Sequence, residues 1–461
     1  MYFTEKDVAL FIDHYQLTMA EDFFLNNTHN DKVAFDYFFR KNPFNGGYTV
    51  FAGISDLLNY LRDFSFSEES VKYLEYQNFD IKFIEFLKSF EFNGALFAPK
   101  EGTLVFPNEP VITVMGTRLE CQLIETILLA TINYQSLIAT KACRMRYAAF
   151  GKHLMEMGSR RGQELGALSG AKAAIIGGFD STANELVGKL YGVPVKGSMA
   201  HSYVMGHDDE LTAFRTWLKN PAHKFDGILL LDTYSTLKSG IKNAIIAAIE
   251  LEKDGGKLYG VRLDSGDLAT LSTEVRKMLD LSNLQYVKII ASNQLNECVI
   301  TSLIQQAAPI DIFGVGTDLI TGGDCSAHDG VYKLCSVNNK PKLKVSETSG
   351  KTTLPGIKHV CRYFDNSGKF YADIINVQGK EESFATNIFN PSKYFSVSGL
   401  TGENLADIAH VSSISTAAMT VKQNFARLPR EYKRFDNPGE YQVGISSELE
   451  ELRDNLSKTS K

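Results

Sequence analysis

Between Ala173 and Gly323, six apolar runs each end in a short polar cluster that a helix-like segment follows. The junctions are Ile175-Ile176-Gly177-Gly178-Phe179-Asp180-Ser181, Val195-Lys196-Gly197-Ser198-Met199-Ala200-His201-Ser202 and Leu229-Leu230-Leu231-Asp232-Thr233-Tyr234-Ser235. Three more follow: Val261-Arg262-Leu263-Asp264-Ser265-Gly266-Asp267, Ile289-Ile290-Ala291-Ser292-Asn293 and Ile312-Phe313-Gly314-Val315-Gly316-Thr317-Asp318. They recur roughly every 20–35 residues, the length of a strand, loop and helix unit. Buried parallel strands read as continuous apolar runs, and barrel enzymes place their chemistry at the carboxyl ends. The series predicts one site ringed by Asp, Ser, Thr, Asn, Arg and His. Helix N-capping accounts for about half of these positions, since Asp, Ser, Thr and Asn favour caps. Arg262 and His201 are poor caps and are left unexplained by it.

The flanking sequence has other rhythms. Residues up to about 90 mix helical and extended patterns, with helical spacing over 7–24 and 71–90. Short runs broken by Gly94, Pro99, Gly102, Pro107 and Pro110 predict a small antiparallel module over 92–115. A long helix is expected over 118–152. After Gly323, residues 330–337 and 341–345 predict a hairpin turning at Asn338-Asn339, and 346–355 a loop. Strand-like pieces run to about Val377, and polar, helix-forming sequence closes the chain, with a charged tail over 446–461 expected to fray. The expected division is 1–150, 151–328 and 329–461, with the last part folding back on the N-terminal module and flanking the barrel.

With 461 residues and 44% apolar composition, the chain is long enough for two domains or one enlarged barrel. A net charge of −6 argues against nonspecific nucleic-acid binding. Six cysteines without Cys-x-x-Cys spacing suggest reduced thiols. The most apolar helix, over 119–139, is interrupted by Glu120, Gln122, Glu125 and Asn133 and is too polar to span a bilayer. No basic segment followed by an apolar core opens the sequence. A cytoplasmic protein is expected.

Several motifs carry chemistry, each with a plainer reading. Gly350-Lys351-Thr352 imitates the end of a P-loop, but Val345 stands where the first Gly belongs and Pro355-Gly356 follows where a helix should. No Gly-x-Gly-x-x-Gly supports a Rossmann fold. The Gly314-Val315-Gly316-Thr317-Asp318 turn offers backbone N–H groups to a phosphate, or is simply a tight turn. Gly158-Ser159-Arg160-Arg161-Gly162 sets two arginines between glycines, suited to a carboxylate or phosphate, although a solvated pair is commoner. His201 lies at a predicted strand end, where a nucleophilic or acid–base role is the attractive reading. His207, with Asp208 and Asp209, is a weak metal signature. Period-two alternation sends Arg262 and Asp264 to one side of their strand, as a ligand clamp or as a structural ion pair.

Taken in order, these segments resemble the nicotinate phosphoribosyltransferase family from end to end. The matching set comprises Tyr15-Gln16-Leu17-Thr18-Met19, Phe39-Arg40-Lys41-Asn42-Pro43-Phe44, Gly158-Ser159-Arg160-Arg161 and Gly178-Phe179-Asp180-Ser181-Thr182. Gly197-Ser198-Met199-Ala200-His201-Ser202, Leu231-Asp232-Thr233-Tyr234, the Arg262 to Asp267 cluster, Ala291-Ser292-Asn293, Gly314 to Thr317 and the loop over 344–356 complete it. The resemblance implies the type II phosphoribosyltransferase architecture: an incomplete TIM-like α/β barrel with an additional N-terminal α/β, β-rich domain completed by C-terminal segments, usually a homodimer. It implies transfer of phosphoribose from 5-phosphoribosyl 1-pyrophosphate to nicotinate, coupled to ATP hydrolysis through a phosphohistidine at His201. Mg²⁺ would bridge phosphate oxygens, by ligands left unknown. Arg160 would bind the nicotinate carboxylate. Tyr15, from a neighbouring subunit, would stack on the ring, with Arg262 nearby, and Phe179 and Ser181 would line the pocket. Asp264 would hold ribose hydroxyls. Asn293 and the Gly316-Thr317 backbone would serve the 5-phosphate side, and Arg40 with Lys333 or Lys344 would neutralise pyrophosphate.

Two positions depart from the family pattern. Met157 stands where an aromatic residue often forms the second face of the ring sandwich, and Ser198 stands where Thr is usual. The nearest rival is a nicotinamide-using relative, favoured if Asp180 faces the ring, because an amide attracts a neighbouring carboxylate; Ser181 is expected to face the pocket instead. A non-catalytic phosphosugar-binding barrel is the alternative from another class.

Overall fold

A computed structural model describes residues 5–345 and 352–459. The Gly350-Lys351 pair and most of the loop expected over 346–355 lie outside them. The chain forms two compact units, one built from residues 1–140 and 327–461 and the other from 141–326.

The second unit carries the parallel sheet. Its strands are, in spatial order, Ser181–Thr182, His153–Glu156, Ile312–Val315, Lys288–Ala291, Gly260–Leu263 and Ile228–Leu230. Every neighbouring pair is parallel. Six parallel strands are an open arc of the eight that close a barrel. In-register parallel neighbours share a face, so Leu230, Arg262, Ile290, Ile312, His153, Met155 and Ser181 line one side. Met155, Ile228, Ile290 and Ile312 pack together there with Met157 and Tyr259 against them. Leu263, Ile289, Ala291, Phe313 and Val315 are buried on the other face.

Four of the six predicted strands are present at their junctions; two are not. Ile175 and Ile176 end the helix Glu164–Ile176. Its last half, Ala171-Lys172-Ala173-Ala174-Ile175-Ile176, is buried throughout and so reads as an unbroken run that periodicity cannot separate from a strand. The alanines favour helix. At the second junction Val195 makes only an isolated bridge to Thr182. The sheet instead recruits His153–Glu156, whose polar ends hide it in the sequence.

The first unit is discontinuous in sequence. One sheet runs Lys340–Pro341, Val331–Val337, Lys32–Phe38, Ile112–Thr117, Ala95–Ala98 and Asp407–Ile408, antiparallel throughout. The hairpin turning at Asn338-Asn339 forms, but its second strand is Lys340–Pro341 and does not extend over 341–345. Asn338 and Asn339 adopt φ values of 47° and 60°, the pair of positive angles that a two-residue turn between twisted strands requires. Its second strand stops at Pro341, which has no N–H to give. Leu17 and Ala20 from the helix His14–Leu25 pack with Phe35, Tyr37, Ile112 and Val114 in the main core. The long helix breaks into Arg118–Leu123 and Glu125–Ala148.

A second mixed sheet holds Lys358–Phe364 and Phe370–Val377, and strands continue beyond Val377 through Phe384–Asn387, Tyr394–Ser396 and Thr401–Asn404 to Val443–Ile445. Short strands thus fill residues 384–408, while the expected polar helical close is present as Ile414–Arg427 and Ser447–Thr459, separated by the strand Val443–Ile445. The tail is helical over Ser447–Thr459 instead of frayed, with Leu449 buried and the Ser447 N–H and hydroxyl donating to Glu382.

Candidate active site

At the carboxyl ends of the parallel strands the polar residues meet. His201 opens the short helix His201–Met205; its Nδ1 lies 3.1 Å from Thr233 Oγ1 and its Nε2 lies 3.9 Å from Asp264 Oδ2. The other Asp264 oxygen accepts from the Ser292 hydroxyl, and Ser265 donates to Asp232 Oδ2. Three neighbouring strand ends are thereby cross-linked by side chains. Arg262 donates to the Met199 carbonyl at 3.1 Å, while its Nε is buried without a hydrogen-bond partner among the described residues. Burial draws the guanidinium below its ordinary value, against the opposing pull of Asp264 and Asp232. A cation so enclosed favours an anionic or aromatic ligand.

Glu156 ends its strand fully buried. It accepts from the Gly158 N–H and, at 2.6 Å, from Thr182 Oγ1. Burial pushes its carboxyl up, and these two donors and Arg160 pull it back. This brace holds the turn that presents Arg160, which is exposed. Asn184 adds a bond to Ser159 Oγ at 2.9 Å. Asn293 has φ +87° and Gln294 φ +47°, two consecutive left-handed residues at one strand end. Strain of that kind persists where the surroundings over-determine it, often at binding sites. Gly316 leads into Thr317–Ile320; a Cβ there would meet the Met157 carbonyl at 3.0 Å. Asp267, by contrast, is the plain cap, accepting from Ala269 and Thr270 N–H groups. His207, two residues beyond the helix His201–Met205, has its Nδ1 2.8 Å from the Tyr203 carbonyl.

Ser181 is fully buried on the sheet face it shares with Met155 and Arg262, and its Oγ lies 2.9 Å from His153 Nε2. Asp180 precedes the strand and is tied to Arg146 and to the Leu154 N–H, so its carboxylate is engaged at the amino end of the sheet. Phe179 is only 3% exposed and also precedes the strand. Met157 packs against the inner cluster, and a Gly314 side chain would strike its sulfur at 2.4 Å.

The first unit holds the other predicted residues. Arg40 and Lys333 line one cavity of about 940 Å³ together with Lys41, Lys358 and Arg453. Lys358 is already paired with Asp36 at 2.7 Å. Arg40 Nε is buried without a hydrogen-bond partner among the described residues, and the backbone N–H of Arg40 reaches Asp329 at 3.4 Å. Lys344 is exposed and does not line the cavity, which separates two lysines that sequence could not. Tyr15 is 50% exposed, and Met19, one helical turn on, is 40% exposed. Sequence reading missed Lys41, Arg453, Glu156 and Ser292. Ser292 stood in a strand-end junction and was findable, whereas nothing local marks Arg453.

No described helix is long and apolar enough to cross a membrane. Family profiles for the nicotinate phosphoribosyltransferase N-terminal domain, family and C-terminal domain match residues 10–133, 152–381 and 357–453. The nicotinate phosphoribosyltransferase of Bacillus subtilis is 39% identical over 97% of this chain and 94% of its own length. That of Caenorhabditis elegans is 33% identical over 95% and 92%. The crystal structure of human nicotinic acid phosphoribosyltransferase superposes with a TM-score of 0.83 at 28% identity, covering 96% of this chain and 99% of the human one. The chain is an enzyme of the nicotinate phosphoribosyltransferase family.

Proposed function

We propose that this enzyme joins nicotinate to 5-phosphoribosyl 1-pyrophosphate, giving nicotinate mononucleotide and pyrophosphate, with ATP hydrolysis coupled through phosphorylation of His201. The observation that carries the reading is His201 held between Thr233 and Asp264 at adjoining strand ends. An imidazole so oriented can attack the γ-phosphorus of ATP: an N–P bond forms as the bond to ADP breaks.

In the transfer step the pyridine nitrogen attacks the anomeric carbon as pyrophosphate leaves, through an oxocarbenium-like state. The protein supplies position and charge, not a nucleophile. Arg160 takes the nicotinate carboxylate and Asp264 the ribose hydroxyls. The Gly316-Thr317 backbone and Asn293 receive the 5-phosphate, while Arg40 and Lys333 meet pyrophosphate. Asp232 Oδ1 is buried without a hydrogen-bond partner among the described residues; with Asp264 it offers the hard oxygen donors that suit Mg²⁺, which offsets phosphate charge when bound. The exposed Tyr15 and Met19 support a homodimer in which Tyr15 reaches its partner's ring site.

The test is mononucleotide formation from nicotinate or nicotinamide with phosphoribosyl pyrophosphate and Mg²⁺, with and without ATP, for wild type and His201→Ala. Nicotinate turnover stimulated by ATP only in the wild type is expected. Stimulation that survives in the variant sinks the phosphohistidine, and turnover of nicotinamide alone sinks the substrate assignment.

A further inference from the structure

Among the described residues, one group of three His, Cys and carboxylate side chains brings its ligand atoms within 4.8 Å of one another: His359, Cys361 and Glu381. His359 and Cys361 sit two residues apart on the strand Lys358–Phe364, and period two points them to the same face. Glu381 arrives from the turn that follows Phe370–Val377. That turn is pinned on both sides of Glu381. Lys380 Nζ pairs with Glu448 at 2.7 Å, the Glu382 N–H donates to Asn376 Oδ1 at 3.3 Å, and the Glu382 carboxylate holds Ser447. Asn376 is itself the cross-strand partner of His359.

We propose that His359, Cys361 and Glu381 form a binding site for a zinc-class divalent cation, completed by solvent. A thiolate, an imidazole and a carboxylate are the donor set of Zn²⁺ and Co²⁺, not of Mg²⁺ or Ca²⁺. One thiolate and one carboxylate neutralise a dication, which suits a place where Cys361 is 2% exposed and packs with Tyr363, Ala372 and Ile374. Glu381 is exposed and His359 half-buried, so the remaining position opens to water. Ligands of a tetrahedral zinc lie roughly 3.3–3.8 Å apart; the exposed Glu381 side chain can close the difference. Binding converts the thiol to a metal-bound thiolate and releases its proton to solvent. Burial and the nearby Glu381 carboxylate push the free thiol up to about 12, and a cation between the two groups cancels the second effect. Burial also holds the His359 imidazole low, in the neutral form that ligates.

The experiment titrates Co²⁺ into the full chain after chelator dialysis, reading near-ultraviolet thiolate-to-cobalt absorption. One equivalent is expected, displaced by Zn²⁺, together with a rise in melting temperature on adding Zn²⁺. The band should vanish in Cys361→Ser and persist in Cys298→Ser, which removes an exposed thiol elsewhere. Should Cys361→Ser fail to fold, Glu381→Ala, which alters an exposed side chain, should still weaken Co²⁺ binding by about 10-fold or more. Absence of a band in the wild type, or a band that persists in Cys361→Ser or is unweakened in Glu381→Ala, overturns the site.

Discussion

His201 Nε2 faces Asp264 Oδ2 across 3.9 Å, and the far oxygen of Asp264 is fixed by Ser292. Asp264 therefore orients an imidazole while remaining able to accept from a ligand hydroxyl. Asp264→Asn keeps the shape and removes the charge. It should lower kcat/KM by about 10²-fold or more with an unchanged melting temperature. Ser292→Ala, which only loosens Asp264, should cost about tenfold or less. Steady-state kinetics decide this, and wild-type rates in Asp264→Asn would remove Asp264 from the site.

Lys333 and Lys344 are separated by the cavity that only the first lines. Lys333→Ala should raise the KM for phosphoribosyl pyrophosphate by about tenfold, as loss of one charge-assisted contact predicts. Lys344→Ala should change it by about twofold at most. The reverse ranking would assign pyrophosphate to the loop lysine.

Asp180 is occupied by Arg146 and the Leu154 N–H. Asp180→Asn should leave the ratio of nicotinate to nicotinamide turnover within about twofold, while lowering stability by about 1 kcal/mol. A marked swing in the ratio would place its carboxylate against the ring.

Glu297 binds Lys141 at 2.9 Å and Arg144 at 2.8 Å, and Lys141 continues to Asp318 at 2.6 Å, one residue beyond Thr317. Burial pushes the Glu297 carboxyl up, but the two cations outweigh it and hold it below its ordinary value. Glu297→Gln leaves both cations undercompensated and should cost about 3–5 kcal/mol in denaturant unfolding. A loss under ~1 kcal/mol would mean that the network is solvated.

His328 is enclosed, its ring edge-on to Phe39 at 4.5 Å, with both nitrogens lacking hydrogen-bond partners among the described residues. Burial drives it from 6.5 down to about 4. The folded state therefore keeps the ring neutral while the unfolded chain takes a proton near pH 6.5. Its stabilising contribution is complete above that pH and fades as pH falls from 6.5 toward 4, by an amount on the order of 3 kcal/mol. Relative to wild type, His328→Phe should show a flatter decline in unfolding free energy across that window; parallel pH profiles would contradict the assignment.

The strand-end chemistry was legible because apolar runs and polar clusters are local patterns. His201 and Arg262 could be picked out by what capping left unexplained and Asp264 by its period-two spacing from Arg262, and the structure sets His201 beside Asp264. The first strand of the series was not legible: Ile175-Ile176 is buried all round, and such a helix has no polar face to betray its period. His153–Glu156 escaped for the opposite reason, since its end residues serve the site and the sheet edge and break its apolar run. Arg453 reaches the cavity from a helix more than 400 residues beyond Arg40, and no window of sequence reports such a meeting.

The strand Lys32–Phe38 finds one of its two partners in Val331–Val337. About 300 residues separate them. At ribosomal rates of ~5–20 residues per second, that edge waits ~15–60 s for its mate while an entire second unit is being made. The nascent chain thus carries a half-finished sheet through most of its synthesis. The strand edge that later pairs with Val331–Val337 stays open for that interval, and an open edge is a template for pairing with another chain.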